Sequence, residues 1–310
     1  NKGISIWELS AQWVPYVLRN QKHAKVILDW TSFADDKQYM LSLNILTGKG
    51  VSTPLLWKTV DSTLMKHNRA RYEDQLLSRL KEVIPVDIEV TLVADRGFAD
   101  QKFFKFLDEE LNVNYIIRIK SNTIITHKNT SKKAIEWMRN DNRALSLEKA
   151  QITLQAYEVN QVVIVKDKEM KAPWILVSNS KLKTREMINS YAKRWKIEPF
   201  FRDLKEGRFG YGMSATHFKT SERRDRLMLI VALSYLLLLI LGQAGEALGY
   251  DRKLKVNTVK TRTHSLFRQG QYYYEFFPNF TNEEQKNLLE KFETLLNQDI
   301  FWIDFFGNQK

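Results

Sequence analysis

The spacing of apolar residues over the first 60 positions predicts one helix followed by strands. Apolar side chains recur at helical spacing in residues 4–20. Three later segments have strand-like patterns: Lys25–Phe33, Gln38–Leu46 and Val51–Val60. Short polar connections join them, at residues 34–37 and 47–50. Connections this short indicate an antiparallel meander, because a parallel crossover needs a longer connection.

The next 60 residues alternate between helical and strand patterns. Residues 67–84 and 100–111 show helical spacing, whereas Asp87–Ala94 and Asn114–Lys120 show strand patterns. Three antiparallel strands followed by helix, strand, helix and strand is the element order of a ribonuclease H-like fold. The sequence therefore predicts an α/β protein in which helices flank a mixed sheet.

A change of pattern divides the rest of the chain. Residues 121–173 alternate between apolar and polar and predict a mainly β insertion, after which Trp174–Ser178 predicts a strand that returns to the core. The expected organisation has five parts: an N-terminal helical lead-in (1–24), the first part of the ribonuclease H-like domain (25–120), the β-rich insertion (121–173), the second part of that domain (174–245) and a C-terminal helical region (246–310).

The most apolar stretch of the sequence predicts a core helix. Leu227–Leu241 contains 15 residues without a charge, whereas a membrane-spanning helix needs about 20. Basic residues in Arg223–Arg226 immediately precede it. We therefore predict a buried helix and no membrane partner.

The charge balance favours a polyanionic partner. The 310 residues include 48 lysines and arginines against 36 aspartates and glutamates, a formal net charge of +12. Such an excess suits nucleic acid first and an anionic membrane surface second. A basic stretch at residues 252–268 precedes the aromatic run Tyr272–Tyr274, and the two could either bind phosphates and bases or pack structurally.

The residue types exclude several kinds of site. The chain has no cysteine, which excludes disulfides, thiolate zinc sites and cysteine nucleophiles. Its five histidines have no ligand-like spacing. A metal site in this chain would therefore depend on carboxylates, whose hard oxygen atoms suit Mg²⁺.

Two aspartates occupy positions where an acidic side chain calls for a structural or functional explanation. Asp29 lies inside the apolar run of the first strand, where an unpaired charge is costly. Asp95 ends another apolar strand and precedes Gly97, at the kind of chain turn that often holds site residues. Either could instead be a capping or turn residue paired with an arginine such as Arg96. In a ribonuclease H-like sheet the first and fourth strands are neighbours, so the two carboxylates could share divalent cations.

A third acidic residue follows in a predicted helix. Tyr191, Arg194, Glu198 and Lys205 share a face about 60° wide if the helix is regular. One acid among two cations and a phenol suits a metal ligand flanked by phosphate-binding groups, although a solvated charged face has a similar composition. Pro199, directly after the glutamate, could bend the helix and shift Lys205.

These residues resemble the motifs of the DDE transposases of the insertion-sequence-four family. The signature of that family is Tyr, two residues, Arg, three residues, Glu, six residues, Lys, and residues 191–205 match every defined position. The segments Asp29-Trp30-Thr31 and Asp95-Arg96-Gly97-Phe98 resemble its other two motifs. The β-rich insertion falls where that family has one.

The resemblance implies the roles of the site residues. Asp29, Asp95 and Glu198 would be both catalytic residues and ligands of Mg²⁺, with Mn²⁺ as an expected substitute. The remaining motif residues would contact DNA: Tyr191, Arg194, Lys205, Arg96 and Trp174. In the hairpin-forming members a tryptophan at the position of Trp174 stacks on a flipped base, but a strand-end tryptophan can equally pack in the core.

The resemblance also implies an activity and its partners. It predicts hydrolysis of double-stranded DNA at transposon ends, followed by attack of the freed 3′-hydroxyl to form a hairpin and to join target DNA. The expected enzyme is bacterial, cytoplasmic and nucleoid-associated, and it assembles as a homodimer on DNA. Because only 28 residues precede Asp29, we expect that an N-terminal DNA-binding region is missing. The alternatives are a domesticated, non-catalytic DNA-binding protein and another ribonuclease H-like nuclease.

Overall fold

The computed structural model describes most of the chain. The described residues are 3–18, 21–46, 52–141, 143–153, 155–168, 170–256 and 258–298. The predicted connection at residues 47–50 and the first residue of the third predicted strand lie outside them. Residues 19–20 of the first predicted helix and residues 299–310 of the expected C-terminal helical region also lie outside the described residues.

The fold is α/β, with helices flanking a mixed sheet, as the sequence predicts. Ten strands of the described residues form the sheet: β1 (His23–Phe33), β2 (Gln38–Leu46), β3 (Ser52–Asp61), β4 (Glu89–Ala94), β5 (Asn114–Arg118), β6 (Ile124–His127), β7 (Thr130–Lys133), β8 (Leu145–Ile152), β9 (Tyr157–Val165) and β10 (Trp174–Ser178). Their order across the sheet is β3-β2-β1-β4-β5-β10-β9-β8-β6-β7.

The type of connection between successive strands determines whether they pair parallel or antiparallel. β1, β2 and β3 pair antiparallel, which confirms the meander predicted from their short connections. β4 lies parallel to both β1 and β5, because helical segments cross over between these strands. β1 and β4 are central strands with apolar residues buried on both faces.

The β-rich insertion extends the sheet. β9 pairs antiparallel with β10, and β8, β6 and β7 continue outward from it. β10 in turn pairs with β5. The prediction of a mainly β segment followed by a returning strand is therefore confirmed, and the strands before and after Pro173 belong to one sheet.

The described helices differ in length. They are α1 (Ile6–Leu18), α2 (Ser62–Met65), α3 (Arg69–Val83), α4 (Gln101–Lys105), α5 (Thr184–Ala192), α6 (Ile197–Lys205), α7 (Ser221–Ala247), α8 (Leu266–Phe276) and α9 (Asn282–Gln298). α5 packs across β4, β5 and β9, whereas α3 packs on β3. The helix predicted at 100–111 is α4 followed by a π-helical turn at Phe106–Glu110.

The predicted single helix through residues 191–205 is wrong. A 3₁₀ turn at Lys193–Lys196 separates α5 from α6, so the four motif residues do not follow one regular α-helical face. Pro199 is the third residue of α6. Its missing N–H is harmless there, because amides in the first helical turn have no partner within the helix.

The apolar stretch forms part of a longer helix than its composition predicts. α7 has 27 residues and is long and apolar enough to cross a membrane, so the prediction that it is too short is wrong. Of its most apolar part, 44% is buried inside the protein. Near its start the fully buried Arg224 donates a hydrogen bond to the Met213 carbonyl at 3.2 Å.

The chain forms two compact units. One comprises residues 20–202 and 217–221 and holds the whole sheet, and the other comprises residues 1–19, 203–216 and 222–310. Inside the second unit α7 and α8 cross at glycines. A Cβ on Gly242 would stand 1.9 Å from the Leu266 carbonyl oxygen, and one on Gly270 would stand 1.9 Å from the Leu238 carbonyl oxygen. Only glycine permits this approach of the two backbones.

Candidate active site

Asp29 and Asp95 are neighbours because their strands pair in parallel. Asp29 lies within β1, and Asp95 directly follows the last residue of β4. The register pairs Leu28 with Ala94, so the two aspartates are the next residues along adjacent strands, which lie about 4.8 Å apart. This pairing confirms the prediction that the first and fourth strands are neighbours.

Each aspartate is oriented by hydrogen bonds to one of its oxygens. Oδ1 of Asp29 accepts a bond from the Trp30 amide at 2.9 Å. Oδ1 of Asp95 accepts bonds from the Arg96 amide at 2.8 Å and from the Tyr191 hydroxyl at 2.9 Å. The Oδ2 atoms remain for other partners.

The elements that carry the other motif residues are fastened to the sheet. Nζ of Lys25 on β1 donates to the hydroxyl of Ser190 on α5 at 2.9 Å. The Ser52 hydroxyl on β3 donates to the carbonyl of Lys196 at 2.8 Å, which ties the 3₁₀ turn to the meander. The turn then delivers Glu198 as the second residue of α6.

Arg194 bridges all three acidic residues. Its Nη1 lies 3.2 Å from Oδ2 of Asp29, and its Nη2 lies 4.0 Å from Oδ2 of Asp95 and 3.6 Å from Oε1 of Glu198. The arginine side chain is only 6% exposed, whereas that of Glu198 is 47% exposed. One guanidinium is therefore the shared counter-charge of three carboxylates.

The carboxylates influence each other electrostatically. Burial raises the pKa of Asp29, and repulsion from Asp95 and Glu198 raises it further against the opposing pull of Arg194. Burial also acts to raise the pKa of Asp95, but the bond from the Arg96 amide and the charge of Arg194 outweigh it and lower this pKa overall. The pKa values of the two aspartates therefore shift in opposite directions, since burial dominates at Asp29 and hydrogen bonds and positive charge dominate at Asp95.

Tyr191 connects the site to Trp174. Tyr191 is 1% exposed, and burial raises the pKa of its hydroxyl, so the group stays protonated and donates to Asp95. Its ring packs edge-to-face with that of Trp174, with centroids 5.0 Å apart. Trp174 is half-buried, against the core cluster that includes Met187. The structure thus places Trp174 beside the site, and both its packing and its proposed DNA contact remain compatible with this position.

Sequence reasoning missed Arg118. This residue ends β5, and its Nη2 donates to the Pro173 carbonyl at 3.2 Å. Its charge helps to lower the pKa of Asp95 and opposes the rise that burial causes in the pKa of Tyr191. The available signal was its position at the end of a strand that neighbours β4, but the strand prediction through Lys120 placed it in a strand interior.

The other two predicted DNA contacts occupy different places. Arg96 follows Asp95 and is exposed, so its guanidinium is available to a ligand. Lys205 is the last residue of α6 and belongs to the second compact unit, where burial lowers the pKa of its ammonium group. Their contacts with DNA stay predictions.

The three acidic residues have the donor atoms that a divalent cation such as Mg²⁺ prefers. Three carboxylates with hard oxygen atoms, mutual repulsion and a single shared arginine form a donor set that suits Mg²⁺ or Mn²⁺. In the described part of the chain, however, no group of three or more acidic or histidine side chains is already arranged around one ion position. Cation binding here requires the carboxylates to turn from Arg194.

Among the described residues, three of the six lysines and arginines at residues 252–268 pair with acids of the same unit, one of them being Lys253 with Glu284. Lys255 pairs with Asp251 at 2.6 Å, and Arg262 makes two hydrogen bonds to Glu246, at 2.8 and 2.6 Å. Tyr273 is fully buried. These contacts favour the packing interpretation of this stretch over a nucleic-acid site.

Comparison with known proteins identifies one family. The model of the transposase DDE domain matches residues 21–237. No curated protein matches the chain. Two solved structures of Marinitoga piezophila Argonaute give weak matches. The complex with a 5′ OH guide RNA has a TM-score of 0.24 and 10% identity, and the match covers 56% of this chain and 26% of that chain. The complex with 5′ OH guide RNA and target DNA has a TM-score of 0.23 and 9% identity, and the match covers 55% of this chain and 25% of that chain. Likeness at this level carries no weight.

Proposed function

This chain belongs to the transposase DDE domain family, and from that premise we propose that it is the catalytic core of a cut-and-paste transposase of the insertion-sequence-four type. In this proposal it hydrolyses double-stranded DNA at the ends of its element, and the freed 3′-hydroxyl then attacks a second phosphodiester. It acts in the bacterial cytoplasm, as a homodimer assembled on DNA.

The observation that carries the proposal is the convergence of Asp29, Asp95 and Glu198 on Arg194. The three acids come from β1, the end of β4 and α6, and each has an oxygen within 4.0 Å of the same guanidinium. Interacting carboxylates with perturbed pKa values, brought together from distant chain segments, are characteristic of functional sites.

Members of this family generally use divalent metal ions, and the three carboxylates are the residues that would hold them. When bound, such ions would activate the attacking water or 3′-hydroxyl and stabilise the leaving oxygen. Tyr191 and the Trp30 and Arg96 amides hold one oxygen of each aspartate in place. The second oxygen of each aspartate faces Arg194 and would serve a bound ion once it turns from that guanidinium.

The cations around the carboxylates would orient the DNA strand. Arg96 directly follows Asp95 and is exposed, and the charge of the half-buried Arg118 reaches Asp95, so a phosphate that approaches this aspartate would meet positive charge. Arg194 keeps the carboxylates together before a cation enters. Trp174, beside Tyr191, is placed to stack on a flipped base during hairpin formation.

One observation favours a different function. Arg194 already compensates the carboxylates, and the described residues contain no ready-made ion position. A DNA-binding protein that has lost catalysis could keep this arrangement as a structural ion-pair network. It would bind DNA without cleaving it.

A strand-transfer assay separates these functions. Duplexes carrying the DNA that flanks the protein's own gene, labelled at one end, are incubated with protein, Mg²⁺ and a target plasmid. A transposase joins the label to the plasmid, a nuclease only shortens the duplex, and a non-catalytic protein leaves it intact. Absence of joined product with both Mg²⁺ and Mn²⁺ would contradict the proposal.

A further inference from the structure

A second cation contacts the residues that follow the two aspartates in the sequence. Arg69 is the first residue of α3, and its Nε donates to Oε1 of Glu73, one helical turn later, at 2.7 Å. The same oxygen accepts a bond from Nε1 of Trp30 at 2.7 Å. Glu73 is 5% exposed, so a buried carboxylate anchors Arg69 to the residue that follows Asp29.

The guanidinium of Arg69 also touches the chain after Asp95. It lies 5.2 Å from the ring centre of Phe98 and 5.9 Å from that of Trp30. Its Nη2 lies 3.3 Å from the position that a Cβ on Gly97 would take. Arg69 is therefore held between the two segments that carry the aspartates.

The two terminal nitrogens of Arg69 make no hydrogen bond within the described part of the chain, where only Nε is engaged. The side chain is 45% exposed. A guanidinium fixed by a carboxylate and two aromatic rings has already lost most of its conformational freedom. Its free fork matches the geometry of two phosphate oxygens.

We propose that Arg69 is a DNA-backbone phosphate site, with Glu73 as its positioning residue. This assignment rests on the proposed function, because it takes the DNA strand to run past Asp29 and Asp95. It accounts for Gly97, since a side chain there would crowd the guanidinium, and for the buried glutamate on α3. Arg69 would hold one phosphate of the strand where the strand passes the segments that follow Asp29 and Asp95.

The test compares Arg69→Ala with Arg71→Ala. Arg71 is also exposed and lies on α3, about 200° around the helix, so both variants lose one charge from one element. Binding of a labelled duplex is measured by anisotropy in EDTA at salt concentrations of about 50 to 200 mM. Each phosphate contact contributes about 0.9 to the slope of log affinity against log salt.

The expected result is a slope lowered by about 1 for Arg69→Ala and a smaller change for Arg71→Ala. An unchanged slope for Arg69→Ala, or equal changes in both variants, would overturn the assignment. If Arg69→Ala does not fold, the native protein provides the test: bound duplex should protect Arg69, but not Arg71, from modification by phenylglyoxal, and absence of protection would refute the site.

The two proposals fail separately in these experiments. Binding in EDTA needs no cleavage, so a native protein that binds duplex with the Arg69 contribution but never joins ends would contradict the transposase activity alone. A protein that joins ends but shows no Arg69 contribution would contradict the phosphate site alone.

Discussion

At the scale of single residues, Arg194 explains how three carboxylates coexist in one place. It is almost fully buried and lies within 4.0 Å of all three. The resemblance implies a DNA contact for this arginine, but the structure shows its terminal nitrogens facing the acids. Its primary task in the absence of DNA is therefore to compensate their charge.

Replacing Arg194 with alanine should lower the free energy of unfolding by about 1 to 3 kcal/mol, because the partly buried carboxylates lose their shared counter-charge. Mg²⁺ should then raise the melting temperature of this variant more than that of the native protein. Arg185→Ala, which removes an exposed arginine from α5, is the control for thermal scans. Equal melting temperatures for the two variants would show that Arg194 does not compensate the acids.

Trp174 permits a prediction that distinguishes stacking from packing. If it stacks on a flipped base, Trp174→Ala should keep first-strand nicking and slow hairpin formation by about 5- to 150-fold, since such stacking contributes about 1 to 3 kcal/mol. An abasic site at the flipped position should restore the rate. Trp137→Ala, in the insertion, is the control. Joint loss of nicking, hairpin formation and thermal stability would favour packing.

At the scale of elements, the sequence predicted the strands better than the helices. β2 begins and ends where predicted, and β1 and β4 differ by two residues at their starts, because alternation and short connections are local signals. The break between α5 and α6 was not predicted. At this break the Lys196 carbonyl accepts a hydrogen bond from Ser52, a contact between residues far apart in sequence.

The site residues, like the secondary-structure elements, could be predicted only where the signal lies in the local sequence. Asp29, Asp95 and Glu198 stand in motifs, so their grouping could be predicted from the resemblance and the strand order. Arg69 and Arg118 belong to none of these motifs. Their places near the aspartates depend on how α3 and β5 lie against β1 and β4, which a single sequence does not reveal.

The glycine crossing of α7 and α8 gives a prediction at this scale. Gly242→Ala should lower stability by about 1 to 3 kcal/mol or more, because its Cβ would overlap the Leu266 carbonyl and force the helices apart. Gly207→Ala is a matched control, since nothing lies within 4 Å of a Cβ there. Urea unfolding of both variants measures the difference, and equal midpoints would contradict the close crossing.

At the scale of the whole molecule, the net charge of +12 agrees with a polyanionic partner. In the part of the chain that the structure describes, three of the six lysines and arginines of the C-terminal stretch pair with acids, namely Lys253, Lys255 and Arg262, whereas Arg69 and Arg96 are exposed, and Arg96 directly follows Asp95. DNA binding should therefore depend on the region around the aspartates more than on the C-terminal stretch.

α7 gives a second prediction for the whole molecule. It is long and apolar enough to cross a bilayer, but its inner face is buried and it contains the fully buried Arg224. We expect the folded protein to remain in the supernatant when neutral lipid vesicles are sedimented, because exposing this helix to lipid would require the unit around it to open. Quantitative cosedimentation with neutral vesicles would contradict a core helix.

The central claim is that Asp29, Asp95 and Glu198 form one metal-dependent catalytic centre, and the most direct measurement is cleavage of labelled element ends by Asp29→Asn, Asp95→Asn and Glu198→Gln. Each variant should bind DNA about as well as the native protein and show no detectable cleavage in Mg²⁺, because metal binding needs anionic oxygen whereas phosphate contacts do not. Asp35→Asn, the same change at an exposed position after β1, should cleave normally. Cleavage near the native rate by any of the three variants would contradict the account.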